Sequence, residues 1–189
     1  MKFCSACGAQ EIQLRIPEGD TLPRCVCARC ATIHYQNPKV VVGSLPQHES
    51  RILLCKRAIE PRHGLWTLPA GFLENGETLE QGATRETLEE ADARVELGAL
   101  YTVISLPQIN QVYMMFRARL LDLDFGPGPE SLEVRLFDES DVPWETIAFR
   151  TIARTLRNYF LDRRLGVHPL HVSAIERRAP LPPDLLAAG

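Results

Sequence analysis

One stretch of the chain decides its fold: GFLENGETLEQGATRETLEEADA, residues 71–93. It begins with a turn that contains Gly and Asn, and residues 78–91 are mostly good helix formers. Because an α-helix advances about 100° per residue, Glu86, Glu89 and Glu90 are expected on one face of this helix. Carboxylates this close repel one another unless they share a cation. Their hard oxygens favour Mg²⁺ or Mn²⁺ over zinc.

The spacing within this stretch is more specific than its acidity. Gly71, Glu77, Arg85 and the three glutamates follow the pattern G-x5-E-x7-R-E-x2-E-E. This pattern resembles the Nudix box, G-x5-E-x7-R-E-U-x-E-E-x-G-U, where U is a bulky aliphatic residue. A solvated acidic helix face is the alternative, but it explains neither the Gly turn nor the position of Arg85. The sequence departs from the box at three packing positions: Thr87, Asp92 and Ala93.

The resemblance implies both a fold and a metal site. The fold is an α+β Nudix sandwich of α/β/α type, in which a mixed sheet lies between helices. The implied cofactor is Mg²⁺ or Mn²⁺. The backbone carbonyl of Gly71, the first residue of the box, could add a ligand to the carboxylates, because Gly lets it approach closely. Arg85 is expected to pair with Glu77 and so to orient the helix and its ligands. The expected Mg²⁺ ligands are Gly71, Glu86, Glu89 and Glu90.

The resemblance also implies a carboxylate that accepts a proton from the attacking water. One candidate is Glu89, within the box itself. Nudix hydrolases often supply a further carboxylate from a later loop or strand, and Glu133 is the first choice there. Glu130, just before it, is the second choice. The identity of the base therefore stays open among these three residues.

The start of the chain carries a second metal pattern, two Cys-x2-Cys pairs separated by nineteen residues. This spacing is typical of a zinc ribbon with four thiolate ligands. About thirty residues cannot bury a sufficient core, so the metal is expected to support folding. Cys25 is a fifth thiol, His34 could replace a ligand, and reduced thiols without metal are a further alternative. The expected zinc ligands are Cys4, Cys7, Cys27 and Cys30.

The joint between the two patterns, IHYQNPK at residues 33–39, sharpens the resemblance. A Cys4 ribbon, such a joint and a Nudix box together resemble a subgroup of Nudix hydrolases with an N-terminal zinc ribbon. The expected domains are a ribbon at 1–37, a Nudix domain at 38–165 and a loosely held tail at 166–189.

Composition limits the possible partners. The chain has 189 residues, of which 45% are hydrophobic and 24% charged, which is typical of globular proteins. A net charge of −3 gives no broad attraction to nucleic acid or to an anionic membrane. The sequence has neither a membrane-spanning apolar run nor a signal peptide, so a cytoplasmic location is expected.

The resemblance implies hydrolysis of a nucleoside diphosphate linked to another group. ADP-ribose is the leading substrate, because Pro107 stands where such Nudix proteins carry a Pro, and FAD and NADH are close rivals. Trp66 is expected to stack on the adenine, with Tyr101, Tyr113 and Phe116 as alternatives, although each of the four could instead lie in the core. Arg57 is expected to contact phosphate, with Arg62 and His63 as alternatives, and solvated surface is the other interpretation for all three.

A catalytically weak nucleotide sensor, with a ribbon that binds nucleic acid or protein, is one alternative. A nucleoside-triphosphate sanitiser or an RNA-cap hydrolase is another, and a homodimer is expected.

Overall fold

The computed structural model describes residues 1–176, and the chain divides into two compact units, Met1–Asn37 and Pro38–Gly189. The first unit is a small antiparallel sheet with strands in the order β1-β2-β3. Its apolar core consists of Cys4, Ala9 and Cys27, with Ile12 packed against them. So small a core needs another source of stability. The strands are β1 Ile12–Arg15, β2 Arg24–Cys27 and β3 Ile33–His34.

The second unit is built on one eight-stranded mixed sheet with the strand order β10-β5-β4-β9-β8-β11. Two short strands complete it, β6 beside β5 and β7 beside β4. The pairs β4–β9 and β8–β11 are parallel and the others antiparallel. The strands are β4 Lys39–His48, β5 Arg51–Arg57, β6 Trp66–Thr67, β7 Ala70–Phe72, β8 Val95–Leu106, β9 Gln111–Leu120, β10 Ser131–Phe137 and β11 His171–Ala174.

Two helices cover this sheet, α1 at Leu79–Ala91 and α2 at Arg150–Leu165. Val42 of β4 lies in the apolar cluster that contains Ala83 of α1, whereas Leu45 lies in the cluster that contains residues of α2. Side chains alternate between the faces of a strand, so residues three apart point to opposite sides. The helices therefore cover opposite faces, and the predicted α/β/α sandwich with a mixed sheet is confirmed. Among the described residues, no helix is long and apolar enough to cross a membrane.

Both ends of α1 are fixed by local hydrogen bonds. Thr78 caps the start by accepting from the amide of Gln81, whose side chain accepts from the amide of Thr78 in return. At the other end Asp92 adopts a left-handed conformation, with φ of 47°, and its amide donates to the carbonyl of Leu88. Asp92 thus takes the backbone role of the Gly that is usual in the Nudix box.

Thr87 replaces an aliphatic residue of the box and is fully buried. Its hydroxyl donates to the carbonyl of Ala83 over 2.7 Å, and it accepts from the hydroxyl of Ser44 over 2.6 Å. A buried hydroxyl is costly unless it is hydrogen-bonded, and both of these groups are. The polar departure from the box is therefore matched by a polar residue on β4.

The prediction of a loosely held tail from residue 166 was wrong for its first part. Strand β11 pairs with the edge strand β8, and Ile175 is buried against the same edge. The buried carboxylate of Asp162 accepts from the hydroxyl of Tyr101 and from Nε2 of His171, each over 2.6 Å. These contacts join α2 to β8 and β11. Residues 177–189 of the predicted tail lie outside the described residues.

The loop before β10 packs directly on the end of α1. The amide of Gly126 donates to the carbonyl of Ala91, and that of Gly128 to the carbonyl of Glu90. A Cβ atom at position 128 would overlap the backbone carbonyl of Glu89, whereas position 126 has open space. Only Gly128 is therefore required by close approach of the backbone.

We expect Gly128→Ala to lower the free energy of unfolding by about 1–3 kcal/mol, because the added methyl group forces α1 and the loop apart. The matched control is Gly126→Ala in the same loop, which meets no atom and should change stability by less than about 1 kcal/mol. Chemical denaturation of the two variants measures both effects. Equal stability of the two would contradict the packing argument.

Candidate active site and zinc site

Arg85 lies within the box and contacts three of its four carboxylates and one backbone carbonyl. Its guanidinium binds both carboxylate oxygens of Glu77, through Nε over 2.6 Å and Nη2 over 3.1 Å. Nη1 donates to Glu86 over 2.8 Å and to Glu89 over 2.9 Å, and Nη2 also donates to the carbonyl of Phe72. The predicted pairing with Glu77 is present and bidentate, which is the strongest geometry for such a pair.

Glu86 and Gly71 fit against each other. A Cβ atom at position 71 would overlap the carboxylate of Glu86, so any other residue here would force that carboxylate to move. Glu86 is almost fully buried, and burial raises the pKa of its carboxyl while the Arg85 guanidinium opposes that rise. The glycine that opens the box therefore makes room for one of its carboxylates.

Glu90 is the most buried of the box carboxylates. Burial raises its pKa to about 8, the N–H of Ala70 that donates to it opposes the rise, and the nearby charge of Glu86 adds to it. The positive charge of Arg57 lowers the same pKa and that of Glu130 raises it. The rise is mainly a cost of burial, and a bound cation would offset it by stabilising the ionised carboxylate.

The donors fit a hard divalent cation by their chemistry, because all are carboxylate or carbonyl oxygens. Glu89 differs from its neighbours, since its side chain is 57% exposed and held only by Arg85 in the described structure. Arg85 Nη1 donates to both Glu86 and Glu89, so a cation shared by these two carboxylates would compete with this bridge. Binding of a shared cation would therefore require Glu89 to rearrange. The metal roles of these residues and of Gly71 stay predictions.

The two later candidates for the base, Glu130 and Glu133, lie in different electrostatic surroundings. Glu130 ends the loop that packs on α1, and its charge raises the pKa of both Glu86 and Glu90. Glu133 lies on β10, where its carboxylate faces Lys56 at 3.9 Å and Arg135 at 3.6 Å. Electrostatic proximity to the box therefore favours Glu130, and the role of Glu133 stays a prediction.

Of the three predicted substrate-binding residues, Trp66 does not fit its role. Its ring is buried in the core, edge-on to Phe137 with centroids 4.9 Å apart, because β6 pairs with β5. Pro107 is exposed at the start of a short 3₁₀ turn between β8 and β9. Arg57 is mostly buried, with Nε donating to the carbonyl of Pro61, and its charge reaches Glu90.

Two backbone groups of this site were not predicted from the sequence. The carbonyl of Phe72 accepts from Arg85, and the amide of Ala70 donates to Glu90. Backbone groups are present at every residue, so no residue type marks these two positions. Only their place on β7, the strand in which the box begins, could have suggested them.

The four predicted zinc ligands converge in the first unit. Their sulfurs all lie within 4.8 Å of one another, with 3.7 Å between Cys4 and Cys30 and 3.6 Å between Cys7 and Cys27. Four sulfurs about 2.3 Å from one zinc ion would lie about 3.8 Å apart at the corners of a tetrahedron. The thiols therefore fit a zinc ion, and Cys25 and His34 lie outside the set. Within residues 1–176, no other group of three or more Cys, His, Asp or Glu is this compact.

Comparison with known proteins identifies the family of both units. The family model described as Nudix N-terminal, a zinc ribbon, matches residues 2–36, and the model of the NUDIX domain matches residues 37–158. The chain belongs to the Nudix hydrolase family. The family predicted from the box and the ribbon is therefore confirmed, as is the prediction of a Nudix enzyme.

Individual relatives share the fold and much of the sequence. The crystal structure of a NUDIX hydrolase from Nitrosomonas europaea is 63% identical, with a TM-score of 0.90, and the match covers 94% of this chain and 100% of that one. The ADP-ribose pyrophosphatase of Methanocaldococcus jannaschii is 30% identical over 58% of this chain and 67% of its own length. The NAD-capped RNA hydrolase NudC of Vibrio atlanticus is 37% identical over 86% of this chain. The match spans only 58% of that NudC.

We expect Cys7→Ser to remove most of the bound zinc and to unfold the first unit, because its apolar core is too small to fold alone. Cys25→Ser is the matched control, since this thiol lies on the same small sheet but outside the cluster. Metal analysis of the purified proteins gives the zinc content. Full zinc in Cys7→Ser, or loss of zinc in Cys25→Ser, would contradict the assignment.

We expect Glu90→Gln to stabilise the metal-free protein, and to do so more at pH 8 than at pH 5. The pKa of Glu90 is about 8 in the folded chain and near 4.5 in an ordinary environment. Between pH 4.5 and pH 8, Glu90 is ionised in the unfolded chain but protonated in the folded chain. The free energy of unfolding of the wild type therefore falls as pH rises through this range. Glutamine is neutral at every pH, so the variant does not lose this stability as pH rises.

Thermal denaturation in EDTA at the two pH values measures the difference. Glu80→Gln on the exposed first turn of α1 is the control, and it should leave the pH dependence unchanged. An identical gain for Glu90→Gln at both pH values would show that Glu90 is ionised throughout.

Proposed function

We propose that the chain hydrolyses the pyrophosphate bond of a nucleoside diphosphate linked to another group, with Mg²⁺ or Mn²⁺ as cofactor. The observation that carries this proposal is the complete set of box carboxylates, of which Arg85 binds three and the Ala70 amide binds Glu90. A nucleotide sensor derived from the same fold would have no need of all three glutamates. The chain keeps them on one helix face, two buried and one exposed.

Bound Mg²⁺, held by Glu86, Glu89 and Glu90, would neutralise charge on the pyrophosphate and make the attacking water more acidic. Arg85 fixes the positions of Glu77 and Glu86, so these groups need not reorganise during the reaction. An exposed carboxylate is suited to accept the proton of the water, and Glu89 meets that requirement. Glu130 is the second candidate, because its charge already acts on the box.

ADP-ribose is the substrate that we favour, and water would convert it to AMP and ribose 5-phosphate. The M. jannaschii relative named ADP-ribose pyrophosphatase and the position of Pro107 support this choice. The NudC relatives are named NAD-capped RNA hydrolases, which favours a dinucleotide such as NADH as the second candidate. FAD contains the same AMP and pyrophosphate portion. A cytoplasmic homodimer stays the expectation for this enzyme.

A substrate panel with a matched pair of variants tests the proposal. The panel contains ADP-ribose, NADH, FAD, NAD-capped oligoribonucleotide and 8-oxo-dGTP, each with Mg²⁺ and with EDTA. We expect Mg²⁺-dependent release of AMP from ADP-ribose, and Glu89→Gln should lower the rate by about 10²–10⁴-fold, the usual contribution of an acid–base group. Glu80→Gln removes the same charge from the exposed first turn of α1 and should keep the wild-type rate.

Each contrary result has a distinct meaning. Tight binding of one compound without turnover would replace the enzyme by a nucleotide sensor. Turnover of 8-oxo-dGTP alone would identify a triphosphate sanitiser. Wild-type rates in Glu89→Gln, with activity still dependent on Mg²⁺, would leave the enzyme in place and move the base to Glu130 or Glu133.

A further inference from the structure

A second charged region of the Nudix unit is cationic and is not used by the proposed reaction. It is a cavity of about 420 Å³ beside the N-terminus of α2, a volume suited to a small ligand. Four arginines line it, together with one carboxylate, Glu145, and the ring of Phe149. A local excess of three positive charges is unusual in a chain whose net charge is −3. The arginines are Arg62, Arg150, Arg154 and Arg157.

The backbone holds the two halves of this cavity together. The hairpin between β5 and β6 carries Arg62, which is held in a left-handed conformation with φ of 73°. The segment before α2 is attached to β6, since Ala148 donates its amide to the carbonyl of Trp66 over 2.8 Å. Ile147 forms a parallel bridge with the same residue. These backbone contacts therefore place the arginine of the hairpin and those of α2 around one cavity.

Three of the arginines follow one another on α2 at positions i, i+4 and i+7, and so lie on one face of the helix. Arg154 is oriented by its Nη1, which donates to the carbonyl of Ala174 on β11 over 2.9 Å. Arg157 lies over the ring of Trp144 at 5.3 Å. Within residues 1–176, none of the four arginines forms an ion pair with a carboxylate. Among the described residues, therefore, no direct ion pair neutralises their charge.

The helix itself adds to this positive potential. Helix α2 begins at Arg150, and its cap residue Phe149 has no side-chain acceptor for the first amides. Uncapped amides and the helix dipole both favour an anion at this end. Planar guanidinium groups bind phosphate oxygens in pairs. A phosphoryl group presents more oxygens than a carboxylate, so it can accept hydrogen bonds from several of these arginines at once.

We propose that this arginine cavity is a binding site for a phosphoryl group, separate from the acidic site of the Nudix box. The shared chemistry is a phosphate or pyrophosphate group. It could belong to a free phosphorylated small molecule or to the 5′ end of a nucleic acid. The proposal does not depend on hydrolysis, because none of the four arginines contacts the box carboxylates.

Titration calorimetry in EDTA tests the cavity by itself, because the box carboxylates repel anions when no cation is bound. The probes are sodium pyrophosphate, a 5′-phosphorylated hexaribonucleotide, and the same hexaribonucleotide without its phosphate. We expect wild-type protein to bind at least one phosphorylated probe, more weakly as salt is raised. The double variant Arg62→Gln/Arg150→Gln should weaken that binding by about tenfold or more, the effect of losing charged hydrogen bonds.

The matched control is Arg94→Gln/Arg119→Gln, which removes two exposed arginines that pair with Asp122 and Glu96 elsewhere. It should change binding by less than about twofold at moderate salt. All four substituted arginines are surface residues, so both variants should fold, and circular dichroism verifies this.

Three results would overturn the proposal: no binding of either phosphorylated probe, wild-type binding in the cavity variant, or an equal loss in the control. Binding of pyrophosphate would support it and assign the cavity to free phosphorylated compounds. Binding of the phosphorylated hexaribonucleotide alone, lost in the cavity variant, would support it and assign the cavity to nucleic-acid ends.

Discussion

The bidentate bond between Arg85 and Glu77 is the interaction on which the rest of the site depends. It attaches the helix face to the turn that precedes α1, and the same guanidinium then reaches Glu86, Glu89 and the carbonyl of Phe72. Lysine, with a single rotatable ammonium group, could not supply this planar set of donors. One arginine therefore fixes the turn, the strand before it and two carboxylates in a single arrangement.

The sheet gives this arrangement its surroundings. Strand β4 carries α1 on one face and α2 on the other, and it pairs with β7, which supplies Gly71 and the amide of Ala70. The two helices bring opposite charges to the unit, carboxylates on α1 and arginines on α2. Arg57 connects these regions, because its guanidinium lies 5.2 Å from the ring of Phe149 and its charge reaches Glu90.

Local sequence patterns were sufficient for the box helix, for the clustering of four cysteines and for the fold family. They failed where a long-range contact decides the outcome. Strand β11 is held by a carboxylate that Tyr101 and His171 share, and no pattern near residue 171 reveals this pairing. From the sequence, Trp66 could equally have stacked on a base or filled the core. In the structure β6 pairs with β5, and the Trp66 ring lies in the core. Glu130 and Glu133 are only three residues apart but lie in different surroundings. The charge of Glu130 acts on the box carboxylates, whereas Glu133 faces Lys56 and Arg135.

The departures from the Nudix box show how its geometry can survive changes in its packing residues. An isolated threonine in place of a buried aliphatic residue would lose apolar contact and bury an unpaired hydroxyl. Here Ser44 and the carbonyl of Ala83 satisfy that hydroxyl, and Ser44 lies on β4, one residue from the segment that pairs with β7. The substitution thus replaces an apolar contact by a hydrogen bond between the same two elements. Since those elements position Gly71 and Glu86, the carboxylate geometry is kept although the sequence pattern is not.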